Sequence, residues 1–164
     1  MRIAIIGNSG SGKSTLARRL AGNSGTVILD LDSIAWEPEG LAVLRPPAAA
    51  AQDVTAFCRA HEDWIVEGCY TGLLRATLPF QPRLLFLNPG EAACLDNCRR
   101  RPWEPHKYSS PAAQDAQLAA LLDWVSAYYR RDDDMSLAAH AALFAAYDGD
   151  KQELRNLPGD EGFA

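Results

Sequence analysis

Apolar residues along this 164-residue chain follow two rhythms. Arg2–Ile6, Thr26–Asp30, Trp64–Glu67 and Leu84–Leu87 are short, nearly continuous apolar runs, and such runs predict buried strands. Between them, apolar positions recur every three or four residues. Lys13–Ala21 puts Leu16 and Leu20 on one helical face and closes at Gly22. Ala48–His61 is a second predicted helix, its approach set by Pro46-Pro47. Pro89–Arg101 is a third, with Asn88 placed as N-cap and Glu91 three residues on. Pro111–Arg131 is the longest, with Leu118, Leu121, Leu122, Val125, Tyr128 and Tyr129 along one stripe. Ser136 can cap a last, alanine-rich helix ending near Tyr147, and Lys151–Asn156 reads as a polar fifth strand at an edge. Strands alternating with helices predict an α/β fold: a three-layer α/β/α sandwich around a five-stranded parallel sheet.

Composition narrows the class. A chain with 48% hydrophobic and 23% charged residues reads as one globular domain over residues 1–164, without repeats or linkers. A net charge of −5 argues against nucleic acid or an anionic membrane as partner. Nothing approaches the roughly 20 apolar residues needed to span a bilayer. Ile3–Ile6 is too short for a signal-peptide core, so a cytoplasmic protein is expected. Cys58, Cys69, Cys94 and Cys98 lack a second Cys or His pair to complete a metal set, and they read as free thiols in a reducing compartment. Oligomeric state is not legible in the pattern.

One segment carries specific chemistry. Gly7-Asn8-Ser9-Gly10-Ser11-Gly12-Lys13-Ser14 matches G-x-x-x-x-G-K-[ST] in full, between an apolar strand and an amphipathic helix. Glycines let backbone N–H groups turn in around phosphate oxygens without a Cβ in the way. Lys13 brings a compact positive charge, Ser14 a hydroxyl for Mg²⁺, and the helix points its positive end at the anion. Chance alone produces such a match on the order of one per cent of the time or less in a chain this long. Gly7, Asn8, Ser9, Gly10, Ser11, Gly12, Lys13, Ser14 and Thr15 are therefore the expected nucleotide site, with ATP and Mg²⁺ as cofactors. The fold expected is a P-loop NTPase.

The rest of the chain separates kinds of nucleotide protein. The Asp-x-x-Gly after a strand and the Asn-Lys-x-Asp of a GTP switch are both missing. Asp30-Leu31-Asp32 instead closes the second strand, at the sheet end where the phosphates sit. Carboxylates spaced i, i+2 on extended backbone share a face and can address one site. The loop, the Asp pair and their spacing resemble the shikimate kinase and nucleoside-monophosphate kinase group of small phosphotransferases. That resemblance implies that Asp30 helps hold Mg²⁺ and that Asp32 orients and deprotonates the acceptor hydroxyl. Capping of the following turn is the plainer role open to Asp32.

Trp64-Ile65-Val66-Glu67-Gly68-Cys69-Tyr70 is similar to the segment lining the acceptor pocket in that group, but with one glycine where shikimate kinases have a run. Over nearly the whole chain the sequence resembles small P-loop proteins named DNA topology modulation proteins, or loosely adenylate kinases. They share the loop, the Asp after the second strand and the Trp-led third strand. The resemblance assigns Glu67, Gly68 and Tyr70 to the acceptor side together with Asp32. Trp36 and Tyr70 could wall that pocket or equally serve the core.

Asn88 stands where many P-loop proteins end a strand in a Mg²⁺-organising Asp, which leaves the metal to Ser14 and Asp30. Arg99-Arg100-Arg101 opens the proline-rich stretch Pro102–Ser110, and the resemblance makes residues 99–111 a lid whose arginines grip the transferred phosphoryl group. Cations favouring a helix C-terminus are the alternative. The expected activity is ATP- and Mg²⁺-dependent phosphorylation of a small hydroxyl-bearing molecule. Rivals are an ATP-hydrolysing regulatory protein without an acceptor and a nucleoside-monophosphate kinase. The stretch Ser33–Asp63 offers only Arg45 and Arg59 against five acids, which favours polyols, sugars or nucleosides over nucleoside monophosphates.

Overall fold

The computed structural model describes residues 1–37, 43–105 and 107–157. Glu39 in the acidic stretch and His106 in the proline-rich loop, both part of the expectations above, lie outside the described residues. Five strands, β1 (Arg2–Gly7), β2 (Val27–Asp30), β3 (Trp64–Gly68), β4 (Arg83–Leu87) and β5 (Lys151–Leu154), form one sheet in the order β2-β3-β1-β4-β5. Every pairing is parallel. The helices are α1 (Lys13–Ala21), α2 (Asp32–Ala35), α3 (Pro47–Ala60), α4 (Thr71–Arg75), α5 (Glu91–Arg99), α6 (Pro111–Ala127) and α7 (Leu137–Ala146).

Alternation along the central strands builds the layers. Ile3, Ile5, Ile65, Leu85 and Leu87 pack with Leu16 and Ala17 of α1 on one face. Ala4, Ile6, Trp64, Val66, Leu84 and Phe86 pack with Val54 of α3, Leu74 of α4 and Leu143 of α7 on the other. A strand buried on both faces must be apolar at every position, which is why these strands read as continuous runs. The architecture is a P-loop NTPase α/β sandwich.

Several boundaries differ from expectation. Asn88 does not cap α5: that helix starts at Glu91 after Gly90 (φ 97°), with no side-chain cap. Asn88 is still part of the sheet, its N–H donating to Leu154 O (2.8 Å) and its amide to Glu153 Oε1 (3.0 Å). α6 ends at Ala127, four residues early, because Tyr128 turns into the core and bonds His140. β5 stops at Leu154 rather than Asn156. Ser136 does cap α7, its hydroxyl accepting from the Ala139 N–H at 3.1 Å. The short helices α2 and α4 have no periodicity long enough to be read from the pattern.

Candidate functional site

The strand order alone locates the site. β2 lies to one side of the centre and β4 to the other, so the crevice opens at the carboxyl ends around β1 and β3. A cleft of about 520 Å³ lies there, bounded by the glycine loop, the ends of β2 and β3, and the loop between α5 and α6.

The glycine loop runs from the end of β1 into α1. Gly10 (φ 76°) and Gly12 (φ 98°) sit in the left-handed region, and a Cβ on Gly10 would fall 2.3 Å from Cys94 O. Only glycine fits both constraints. Asn8 braces the loop rather than facing the cleft: it is buried, and its amide donates to Val125 O at 3.0 Å. From α5, Asn97 donates to Gly10 O at 2.8 Å. Lys13, itself buried, donates to Asn8 O at 2.9 Å, which holds its ammonium across the mouth of the loop. Ser9, Gly10, Gly12, Lys13, Ser14 and Thr15 line the cleft.

Three carboxylates share this space. The Ser14 hydroxyl donates to Glu67 Oε1 at 2.5 Å. Burial raises the Glu67 carboxyl above the usual range, opposed by the Lys13 charge and that hydroxyl. Burial also raises Asp30, with the Asp32 charge adding to it. Asp30 Oδ1 accepts from the Asp32 N–H at 2.9 Å, a side-chain-closed turn that ends β2 and starts α2. Asp32 goes the other way. Burial pushes its carboxyl up, but the Lys107 charge and hydrogen bonds from Tyr70 and Lys107 outweigh it and hold it below the ordinary value. Tyr70 Oη donates to Asp32 Oδ1 (2.7 Å) and Lys107 Nζ to Oδ2 (3.1 Å).

Arg100, Arg101, Trp103, Glu104 and Lys107 approach from the α5–α6 loop. Arg101 pairs with Glu104 at 3.3 Å and Arg100 with Asp96. Arg99 is exposed at the end of α5 and does not line the cleft. Tyr70 and Trp36 are not cleft walls either. Tyr70 is buried, Trp36 Nε1 donates to its hydroxyl at 2.8 Å, and the two together support Asp32 from behind. Gly68 does line the cleft beside Glu67.

The pairing of Lys107 with Asp32 and the link between Glu67 and Ser14 are what sequence reasoning did not find. An acid closing an otherwise apolar run, Trp64-Ile65-Val66-Glu67, was the available signal for the second. An acid partner for the loop was sought after β4, whereas the carboxylate that meets Ser14 lies at the end of β3, the other neighbour of β1. For Lys107 no local signal existed, because its partner is 75 residues away.

Known proteins agree with the fold. A family model described as an AAA domain matches residues 3–78, a little under half of the chain, including the glycine loop, Asp30, Asp32 and Glu67. A sugar kinase from Janibacter sp., solved without ligand, aligns over 97% of this chain and 87% of its own, with 19% identity and a TM-score of 0.52. Shikimate kinase from Acinetobacter baumannii, solved with shikimate, aligns over 96% and 84%, with 17% identity and a TM-score of 0.50. At these identities the likeness is one of fold. No curated protein matches the chain in sequence.

Proposed function

We propose that the protein is a kinase that transfers the terminal phosphoryl group of ATP to a hydroxyl of a small molecule. One observation carries this reading: a phosphate loop, an ionised aspartate and three arginines, Arg18, Arg100 and Arg101, face one cleft of about 520 Å³. Phosphoryl transfer needs positioning and positive charge more than covalent chemistry. Lys13 and the loop N–H groups suit the phosphates, while Arg100 and Arg101 suit the equatorial oxygens in flight. Asp32 suits the acceptor: it takes the hydroxyl proton as the new O–P bond forms and the bond to the ADP oxygen breaks. On this reading the α5–α6 loop is the lid.

The donor set also suits Mg²⁺. Hard oxygen ligands are what that ion takes, usually one or two carboxylates with waters and substrate phosphates. The Ser14 hydroxyl, already aligned with Glu67, and the Asp30 carboxylate would hold it, and when bound it neutralises charge on the phosphates. Asn88, spent on Glu153, contributes nothing there.

Arg45 is engaged by Ile34 O (2.9 Å) and Asp53 (2.8 Å), and neither Arg45 nor Arg59 lines the cleft. Among the described residues of the α2–α3 region no arginine is placed as the clamp a nucleoside monophosphate requires, which supports a polyol, sugar or nucleoside acceptor. No DNA role is proposed. Among the described residues no helix is long and apolar enough to cross a membrane. The test is a coupled ADP-release screen of hydroxyl compounds and nucleoside monophosphates, with ATP-only rates subtracted. Turnover of a hydroxyl compound is expected; turnover of a nucleoside monophosphate alone would reverse the choice of acceptor.

A further inference from the structure

A carboxylate that serves an acceptor hydroxyl can also serve water, and a kinase then wastes ATP. The surroundings of Asp32 bear on that choice. Its Oδ1 is held from the core. An indole N–H can only donate, so Tyr70 Oη accepts from Trp36 and its single proton must go to Asp32. Oδ2 is held from the lid by Lys107 at 3.1 Å. The side of Asp32 that faces the cleft is thus covered by a residue of the loop that moves if the site opens.

The lysine is built to leave. Its ammonium also lies 3.7 Å from Glu104, so it keeps a carboxylate partner after releasing Asp32. Glu104 in turn holds Arg101 at 3.3 Å. The loop itself is braced: Gln114 accepts from the Glu104 N–H at 2.9 Å and donates to Pro102 O at 3.1 Å, and Trp103 Nε1 donates to Tyr108 O at 3.1 Å. Lys107 therefore reaches Asp32 from a framed loop, not from a free tether.

We propose that Lys107 is a specificity-determining residue that withholds Asp32 from water until an acceptor displaces it. The proposal rests on the kinase reading above. A water molecule offers too few contacts to replace the ion pair, whereas an acceptor gripped by several groups offsets its loss. Lys107 and Asp32 are 29% and 40% exposed, so the pair is a bias and not a lock; exposed pairs of this kind shift an equilibrium by up to about fivefold.

The experiment compares wild type, Lys107→Met and Lys107→Arg, all first titrated with Mg-ATP by calorimetry. Without acceptor, ADP release by Lys107→Met should rise, by up to about fivefold, while Lys107→Arg, which keeps a cation, should stay near wild type. Hydrogen exchange without nucleotide gives an independent reading: amides in the 101–109 loop should exchange faster in both Lys107→Met and Asp32→Asn. Acceptor-free ADP release by Lys107→Met at or below the wild-type rate, with Mg-ATP binding intact, overturns the specificity role. Unchanged loop exchange in both variants overturns the contact itself. A wild type that binds no Mg-ATP overturns the kinase reading, and the specificity role with it.

Discussion

Lys13 Nζ donates to Asn8 O, which places its ammonium within the glycine loop itself. Lys13→Ala should weaken Mg-ATP binding severely, and Ser14→Ala should mainly raise the Mg²⁺ concentration required. Calorimetric titration at several Mg²⁺ concentrations separates the two; unaltered affinity in Lys13→Ala would refute the phosphate loop. Asp32 calls for a different substitution. Asp32→Asn preserves shape but cannot take a proton, so transfer should fall by roughly 10²–10⁴-fold with nucleotide affinity kept. Full transfer activity in that variant would reduce Asp32 to a structural turn residue.

At the scale of elements, the three arginines that are adjacent in sequence part company. α5 ends at Arg99, after which Arg100 and Arg101 line the cleft and Arg99 does not. Arg100→Ala or Arg101→Ala should lower the transfer rate by about 10²-fold with near-normal ATP binding, and Arg99→Ala should cost much less. Steady-state kinetics on the three single variants decides this. A uniform response would mean that the run is a charged helix end and nothing more. The same scale explains the tethers on the loop. Asn97 on α5 and Val125 on α6 both bond the glycine loop, so the two helices that flank the α5–α6 loop are fastened to it. Asp134 accepts from the Gly72 N–H at 2.9 Å and ties the α6–α7 turn to α4.

Across the whole molecule, His140 joins the layers. It is fully buried on α7; its Nε2 lies 2.8 Å from Cys69 O and its Nδ1 2.9 Å from Tyr128 Oη. A carbonyl can only accept, so Nε2 carries the proton and Nδ1 accepts from the tyrosine. Burial disfavours the charged ring and brings the imidazole down to about 4 from its ordinary 6.5. The unfolded chain therefore binds the extra proton first. Stability from this group is fully present above about pH 6.5 and is lost as pH falls towards 4, by on the order of 3 kcal/mol. Denaturant melts of wild type and His140→Gln between pH 7.5 and 4.5 check this: the difference between them should shrink as the pH falls. A constant difference would show that His140 does not titrate on unfolding.

Several features were determined by the sequence alone. The strands β1, β3 and β4 declare themselves because burial on both faces makes each one almost continuously apolar, and β2, a partly buried edge strand, reads as a shorter apolar run. The loop at Gly7–Ser14 declares itself because backbone geometry and phosphate chemistry constrain consecutive residues, as does the pair Asp30 and Asp32 at the end of the strand before α2. These are local constraints, and local order in the chain records them. Tertiary structure decided the rest. Glu67 meets Ser14 across 53 residues, Lys107 meets Asp32 across 75, and Tyr70 meets Asp32 across 38. None of these partners leaves a mark near the other in sequence, because the sheet order β2-β3-β1-β4-β5 sets which strand ends are neighbours. Whether an acid serves the metal, the acceptor or a turn depends on what stands opposite it, and that is known only once the sheet has formed.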